Sequence, residues 1–241
     1  MAPSKILSDK WILITGASKG IGQAVAEAFA EQGASLMLVA RSQDQLLETA
    51  NGCKEKGAPA IEVHALDLTN PEAIENLSKQ LLDKHKFIYG LVNNAGMMPG
   101  GNGPTDGDIR AWETALKLNV LAPMQWTRCL APAMQQKREG LIINMGSVSS
   151  IEPDASNPVY VATKHALRGW SRSCYAAFRK DNIKVAHINP GMVETGMTEG
   201  RGDAEKMIKP SDIAEAALLA VRTSAHAVPT EITIRPVEPV A

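Results

Sequence analysis

Tyr160 and Lys164 stand at positions i and i+4, and Ser147 precedes them in the chain. These three residue types can cooperate in one piece of chemistry. Reducing a carbonyl needs a proton at oxygen while hydride arrives at carbon, and the reverse reaction needs a base for the hydroxyl proton. A phenol with an ordinary pKa of about 10 needs help to do either near neutral pH. On a helix, Lys164 shares a face with Tyr160, and its ammonium would stabilise a tyrosinate and lower the phenol pKa. Ser147, at the end of an apolar run, would hydrogen-bond the substrate oxygen and stabilise developing charge. Asn119, in Lys117-Leu-Asn-Val120, is a polar residue inside a helical stretch. Taken singly, each has a plainer use: an ordinary tyrosine, a turn serine, an amide at a helix kink.

A second cluster can hold an anion. Thr15-Gly-Ala-Ser-Lys-Gly-Ile-Gly22 follows the apolar run 11–15 and opens a helix-length stretch. A strand, a glycine turn and a helix in that order present backbone N–H groups and the positive end of a helix to a pyrophosphate. Gly16 allows the tight turn, Gly20 a close ligand approach and Gly22 close packing of helix on strand, with Ser18, Lys19 and Ile21 completing the loop. The spacing is Gly-x-x-x-Gly-x-Gly rather than Gly-x-Gly-x-x-Gly. NAD sites place an acid at the end of the second strand for the ribose hydroxyls, but here that end reads Val39-Ala40-Arg41-Ser42. Arg41 can fork onto a 2′-phosphate, with Ser42 beside it and Lys19 facing the same group. The pattern therefore predicts NADP(H). Asp44 reads as a helix cap.

These residues need a frame that brings them together. Short apolar runs at 11–15, 35–40, 61–66, 89–92, 140–145 and 183–188 alternate with helix-length stretches at 21–31, 43–56, 71–85, 108–137 and 158–180. A last helix at 210–220 and a strand at 231–235 follow. Apolar strands each followed by a helix predict a buried parallel sheet with helices on both faces. The expected fold is α/β: a three-layer, Rossmann-type doubly wound sheet of about seven strands with right-handed crossovers, forming a single domain over 1–241. Ligands bind such sheets at the carboxyl ends of the strands, where the irregular stretches 96–107 and 191–209 fall. The second is expected to be a substrate-binding loop whose Met192 and Met197 adapt to apolar groups. Trp112, Leu116, Trp126 and Leu130 lie at spacings that could supply an exposed apolar helix face, and core burial explains that stripe equally well.

Composition narrows the partners. With a formal net charge of -1 and no basic run, the chain lacks an electrostatic footprint for nucleic acid or a membrane surface. Aromatic residues at 4% leave few platforms for stacked bases. No apolar run approaches the ~20 residues of a membrane helix. Residues 1–11 lack the apolar core of a secretory signal, and 238–241 match no lipidation or retention signal. A cytoplasmic location is expected. Cys53, Cys129 and Cys174 are scattered and odd in number, which favours thiols over a disulfide framework. The histidines form no ligand pair, so no metal is expected.

Read in order, the glycine turn, Asp67, Asn93-Asn-Ala-Gly96, Asn119, Ser147, Tyr160-x-x-x-Lys164 and Pro190-Gly191 resemble the short-chain dehydrogenase/reductase family over roughly residues 10–235. The resemblance implies an NADP(H)-dependent enzyme of the carbonyl reductase or alcohol dehydrogenase type, acting on a small carbonyl or alcohol, and a homo-dimer or homo-tetramer paired through the long helices at 108–137 and 158–180. It implies that Lys164 also binds the nicotinamide ribose and that Asn119 holds a water linking the lysine to solvent. It assigns Asp67 and the Leu68 backbone to the adenine and Asn93, Ala95 and Gly96 to the cofactor floor. Pro190, Gly191, Val193 and Thr195 would line the carboxamide end of the nicotinamide. Two features depart from the pattern. Gly146 stands where many relatives carry a serine, and 96–104 is richer in glycine than usual. Two other readings remain open: reduction of a 3-oxoacyl thioester at the same site, and a non-catalytic NADP(H)-sensing binding protein. Loss of Tyr160 or Lys164 would favour the last, and both are present.

Overall fold

The structure is a computed structural model that describes residues 5–101 and 103–240. Residues 1–4 and 241 of the expected 1–241 span, and Asn102 of the 96–107 stretch, lie outside the described residues. Seven strands, β1 (Trp11–Thr15), β2 (Ser35–Ala40), β3 (Ile61–Ala65), β4 (Gly90–Asn93), β5 (Gly140–Met145), β6 (Ile183–Pro190) and β7 (Glu231–Ile234), form one sheet in the order β3-β2-β1-β4-β5-β6-β7. Every neighbouring pair is parallel. The chain builds outward from β1 to β3, then returns to β1's other side at β4. That reversal leaves a crevice outside the carboxyl ends of β1 and β4.

Alternation along the strands sends side chains to two separate cores. Ile12, Ile14, Leu36 and Leu38 face one side, packed by α1 (Gly20–Glu31), α2 (Gln43–Glu55) and α7 (Pro210–Arg222). Leu13, Met37 and Val39 face the other, under α3 (Pro71–His85), α5 (Ala122–Lys137) and α6 (Pro158–Phe178). Phe29 anchors the first core and Trp126 the second, both fully buried, and each such side chain contributes roughly 1.5–3 kcal/mol or more. This is the expected three-layer α/β arrangement. Among the described residues, no helix is long and apolar enough to cross a membrane.

The expected helix over 108–137 is broken. It runs as α4 (Ile109–Leu116), a π-helical turn over Lys117–Leu121, then α5. The cause is in the sequence: Pro123 has no N–H to give the carbonyl of Asn119, and a wider turn absorbs the mismatch. The proposed apolar stripe also divides. Trp126 and Leu130 are core residues, whereas Leu116 is 45% exposed, so the four do not form one outward face. Smaller differences are at element ends. β6 continues to Pro190, and α6 stops at Phe178 before a 3-10 turn over Arg179–Asp181.

Candidate active site

β1 delivers the chain into the glycine turn, where Gly16 and Gly20 take φ of +65° and +60°, a region open to glycine at no steric cost. A Cβ on Gly16 would lie 2.8 Å from the Ala95 Cα, and one on Gly22 would lie 2.2 Å from the Gly16 carbonyl oxygen. The turn is fastened to the end of β4. The N–H groups of Asn94 and Ala95 donate to Thr15 Oγ1 at 3.0 and 3.1 Å, and Asn94 Nδ2 donates to the carbonyls of Thr15 and Gly16 at 3.0 and 3.1 Å. α1 starts at Lys19 without a side-chain cap and without an acid in its first turn, which leaves its positive end open to an anion.

Arg41 is exposed at the end of β2. Asp67 is held below the usual carboxylate range, chiefly by the N–H and hydroxyl of Thr69, which donate to it at 2.9 and 2.8 Å, and to a smaller degree by the charge of Arg41. Ser42 is the N-cap of α2 with its hydroxyl unused by the helix, and Asp44 falls in the first turn. Asp44 therefore acts as a charge near a positive helix end rather than as the expected cap.

α6 carries Tyr160 and Lys164 on one buried face, with Lys164 Nζ 5.5 Å from the centre of the tyrosine ring. Lys164 Nζ donates to the Met145 carbonyl, the last of β5, at 2.8 Å. Ser147 follows β5 and caps a short 3-10 turn (Val148–Ser150) by accepting from the Ser149 N–H at 3.1 Å. Burial raises the Tyr160 phenol above its ordinary range, while a hydrogen bond with Ser147 and the charge of Arg201 pull it back. Burial takes Lys164 down to about 8. The expected lowering of the phenol by Lys164 is thus absent from this state. The amine is turned to a backbone carbonyl, and desolvation outweighs the other effects on both groups.

Asn119 is buried in the π-turn with its side chain fully engaged. Its Oδ1 accepts from the Met97 N–H at 2.8 Å, and its Nδ2 donates to the Met97 carbonyl at 2.8 Å and to Thr163 Oγ1 at 3.1 Å. Gly96 fits between Asn119 and Lys164: a Cβ there would lie 3.3 Å from Asn119 Oδ1 and 3.6 Å from Lys164 Nζ. Asn93 turns into the sheet and donates from Nδ2 to Asn144 Oδ1 at 2.8 Å. On the far side, Gly191 donates its N–H to Ile234 at 2.7 Å. Thr195 reaches across to the glycine turn, where a Cβ on Gly20 would lie 3.1 Å from its Cγ2.

Several contributors have no separate role in the sequence reading. Thr15 and Asn94 lie within the quoted motifs, yet only the fold reveals them as the fastening of the turn. The others form a buried polar chain. From Asn144, Nδ2 donates to Ser171 Oγ at 2.8 Å. Ser171 Oγ meets His187 Nδ1 at 3.1 Å, and His187 Nε2 meets Ser150 Oγ at 3.3 Å. Ser150 Oγ in turn accepts the N–H of Ser147 at 3.1 Å. Burial, aided by the charge of Lys164, takes His187 down to about 4, so the ring is neutral near pH 7. No local spacing marks these residues, because they come from four different elements.

Residues 10–206 match the short chain dehydrogenase family. An uncharacterized oxidoreductase of Staphylococcus saprophyticus is 34% identical over 233 residues, covering 96% of this chain and 99% of the relative. A metagenomic short-chain oxidoreductase solved in complex with NADP has a TM-score of 0.86 at 29% identity, covering 97% of this chain and 100% of that one. L-Sorbose reductase from Gluconobacter frateurii, solved with NADPH and L-sorbose, has a TM-score of 0.86 at 28% identity, with 95% and 96% covered. Likeness of this extent in both sequence and fold decides membership: the chain is an oxidoreductase of the short-chain dehydrogenase/reductase family.

Proposed function

We propose that the protein transfers a hydride between NADP(H) and the carbonyl or secondary alcohol carbon of a small substrate, with Tyr160 as acid and base. The observation that carries this reading is the meeting of Tyr160, Ser147 and Lys164 beside Gly96, on the same edge of the sheet as the glycine turn. The turn fits a dinucleotide: its uncapped helix end suits a pyrophosphate, and Gly20 keeps the approach clear. Arg41, Ser42 and Lys19 supply donors for a 2′-phosphate, and the NADP and NADPH of the two similar structures support that choice. Asp67 and Leu68 would flank the adenine. Ala95, Gly96, Pro190, Gly191, Val193 and Thr195 would border the nicotinamide end.

Bound nicotinamide would supply or accept the hydride. The chain's own residues handle the proton. The Ser147 hydroxyl donates to the substrate oxygen, and Tyr160 gives that oxygen its proton in reduction and removes it in oxidation. Lys164, with a pKa of about 8, exchanges a proton near neutral pH and would hold the ribose hydroxyls. The proton path to solvent runs past the Asn119 carbonyl, because the asparagine side chain is engaged and Pro123 cannot supply an α-helical donor. We also infer a homo-dimer or homo-tetramer, using the exposed apolar side chains Ile109, Leu116 and Leu121. Light scattering that finds only the 25.8 kDa chain would refute it.

The test of function is NADPH oxidation against a carbonyl panel by the wild type and by Tyr160→Phe. The variant should lose roughly 10²–10⁴-fold in turnover with NADPH affinity close to intact. If it keeps more than a tenth of wild-type kcat, Tyr160 is not the acid.

A further inference from the structure

Two loops frame the space beside Tyr160, one after β4 (residues 94–108) and one after β6 (residues 191–209). The guanidinium of Arg201, on the second loop, meets the thioether of Met98 on the first, with Nη1 2.9 Å from Sδ. A thioether is a weak acceptor for a full positive charge. Among the described residues, no ion pair includes Arg201. Of the acids on its own loop, Glu194 pairs with Lys209 and Asp203 accepts the Glu205 N–H, and neither these nor Glu199 and Glu205 form an ion pair with Arg201. The contact joins Arg201 to the loop that carries Gly96 and Met97. Met97, next to Met98, is held by Asn119 through both of its backbone groups, and Gly96 lies against Lys164. The charge of Arg201 is felt at the Tyr160 phenol.

We propose that Arg201 anchors an anionic group of the substrate, making oxo acids and the corresponding hydroxy acids the preferred substrates. The carboxylate would sit on Arg201 while the carbonyl oxygen sits on Ser147 and Tyr160. A guanidinium presents two parallel N–H donors that match a carboxylate, and this one gives up only a thioether contact to do so. Arg41 follows β2 and Arg201 lies on the loop after β6, with β1, β4 and β5 between those strands in the sheet, so the two cations address different ligands. The inference rests on the hydride-transfer reading above and adds the charge of the substrate to it.

The test uses the full chain with NADPH in wild type, Arg201→Gln and Arg201→Lys. The substrates are oxo acids of increasing chain length, their methyl esters and a phosphorylated ketone. The wild type should prefer an acid to its ester in kcat/KM. Arg201→Gln should lower the acid-to-ester ratio about tenfold, the lower end for a charge-assisted pair because the side chain is exposed, mainly through KM, and Arg201→Lys should keep part of it. Calorimetry of the oxo acid binding to the protein, with and without NADP+, makes the same comparison without turnover. If the acid-to-ester ratio and the acid affinity are both unchanged in Arg201→Gln, the proposal is overturned. A loss confined to the phosphorylated ketone overturns the oxo-acid assignment. Turnover of none of these carbonyls would remove the hydride-transfer reading, and the binding comparison would still decide the role of Arg201.

Discussion

Gly146 and His187 share one volume: a Cβ on Gly146 would lie 2.4 Å from His187 Nε2 and 2.6 Å from Asn189 Oδ1. The absence of a serine at 146 is the space the imidazole occupies. The ring uses that space to reach Ser150, whose hydroxyl accepts the N–H of Ser147. The pair thus supports the backbone of a residue at the proposed reaction centre.

Restoring a serine at 146 should therefore strain the site. Gly146→Ser overpacks a buried ring, at a cost of roughly 1–3 kcal/mol, and should lower kcat by displacing Ser147. In a His187→Ala background the nearer obstruction is gone while Asn189 Oδ1 remains, and the same change should cost about 1 kcal/mol less. Denaturant unfolding of the four proteins measures the coupling. Costs that simply add would show that the two positions do not share space.

His187 should also impose a pH dependence on stability. Unfolded, an imidazole takes its proton near pH 6.5; folded, this one does so only near 4. Between those values the unfolded chain holds the extra proton, so this contribution to stability is lost as pH falls through the window. From about pH 7 to about pH 5 the loss should be about 2 kcal/mol. His187→Gln should remove that part of the acid limb. Parallel pH–stability curves for variant and wild type would mean that the ring titrates normally.

Cofactor choice should depend on Arg41. Arg41→Ala should weaken NADPH about tenfold, the lower end for a charge-assisted bond because the side chain is exposed, and NADH far less. Lys19→Ala should show the same pattern more weakly. Titration of both cofactors into both variants decides the point, and equal losses for NADPH and NADH would remove the 2′-phosphate role.

The sheet and most of the site were legible because their signals are local. Tyr160 and Lys164 sit one helical turn apart, and the glycine turn announces itself between a strand and a helix. The break at Asn119 also had a local signal in Pro123, yet the apolar periodicity ran through it and concealed it. Trp126 and Leu130 show the limit of periodicity, which gives a stripe without saying whether core or another subunit covers it. Gly146 follows β5 and His187 lies on β6, so the reason for the missing serine appears only once the two strands pair. Arg201 carries no pattern: an arginine in a glycine-rich loop gains meaning only from Met98 and Tyr160 across the crevice.

The loop 191–209 is both firmer and better placed than its glycines imply. Its base is closed by a bridge between Val193 and Ile208, with Ile208 donating its N–H to Met192 at 3.0 Å and Glu194 to Ile208 at 2.9 Å. Lys209 and Glu194 add an exposed ion pair at 2.7 Å, and Asp203 donates its N–H to Val240 at 3.1 Å. Between these fixed points the segment 195–203 spans from the glycine turn, through Thr195 at Gly20, to Met98, through Arg201. Gly200 and Gly202 take φ of +75° and +145° there, and Met197 is 41% exposed. A fixed base with an adaptable span suits a lid that excludes water during hydride transfer. Hydrogen exchange with NADP+ should therefore add protection within residues 195–203 and little at Glu194, Met207, Ile208 and Lys209, whose N–H groups are already bonded. Met192→Ala and Met197→Ala should shift the order of preferred carbonyls. No added protection anywhere in 195–203, together with an unchanged substrate order in both variants, would reduce the segment to a surface connection.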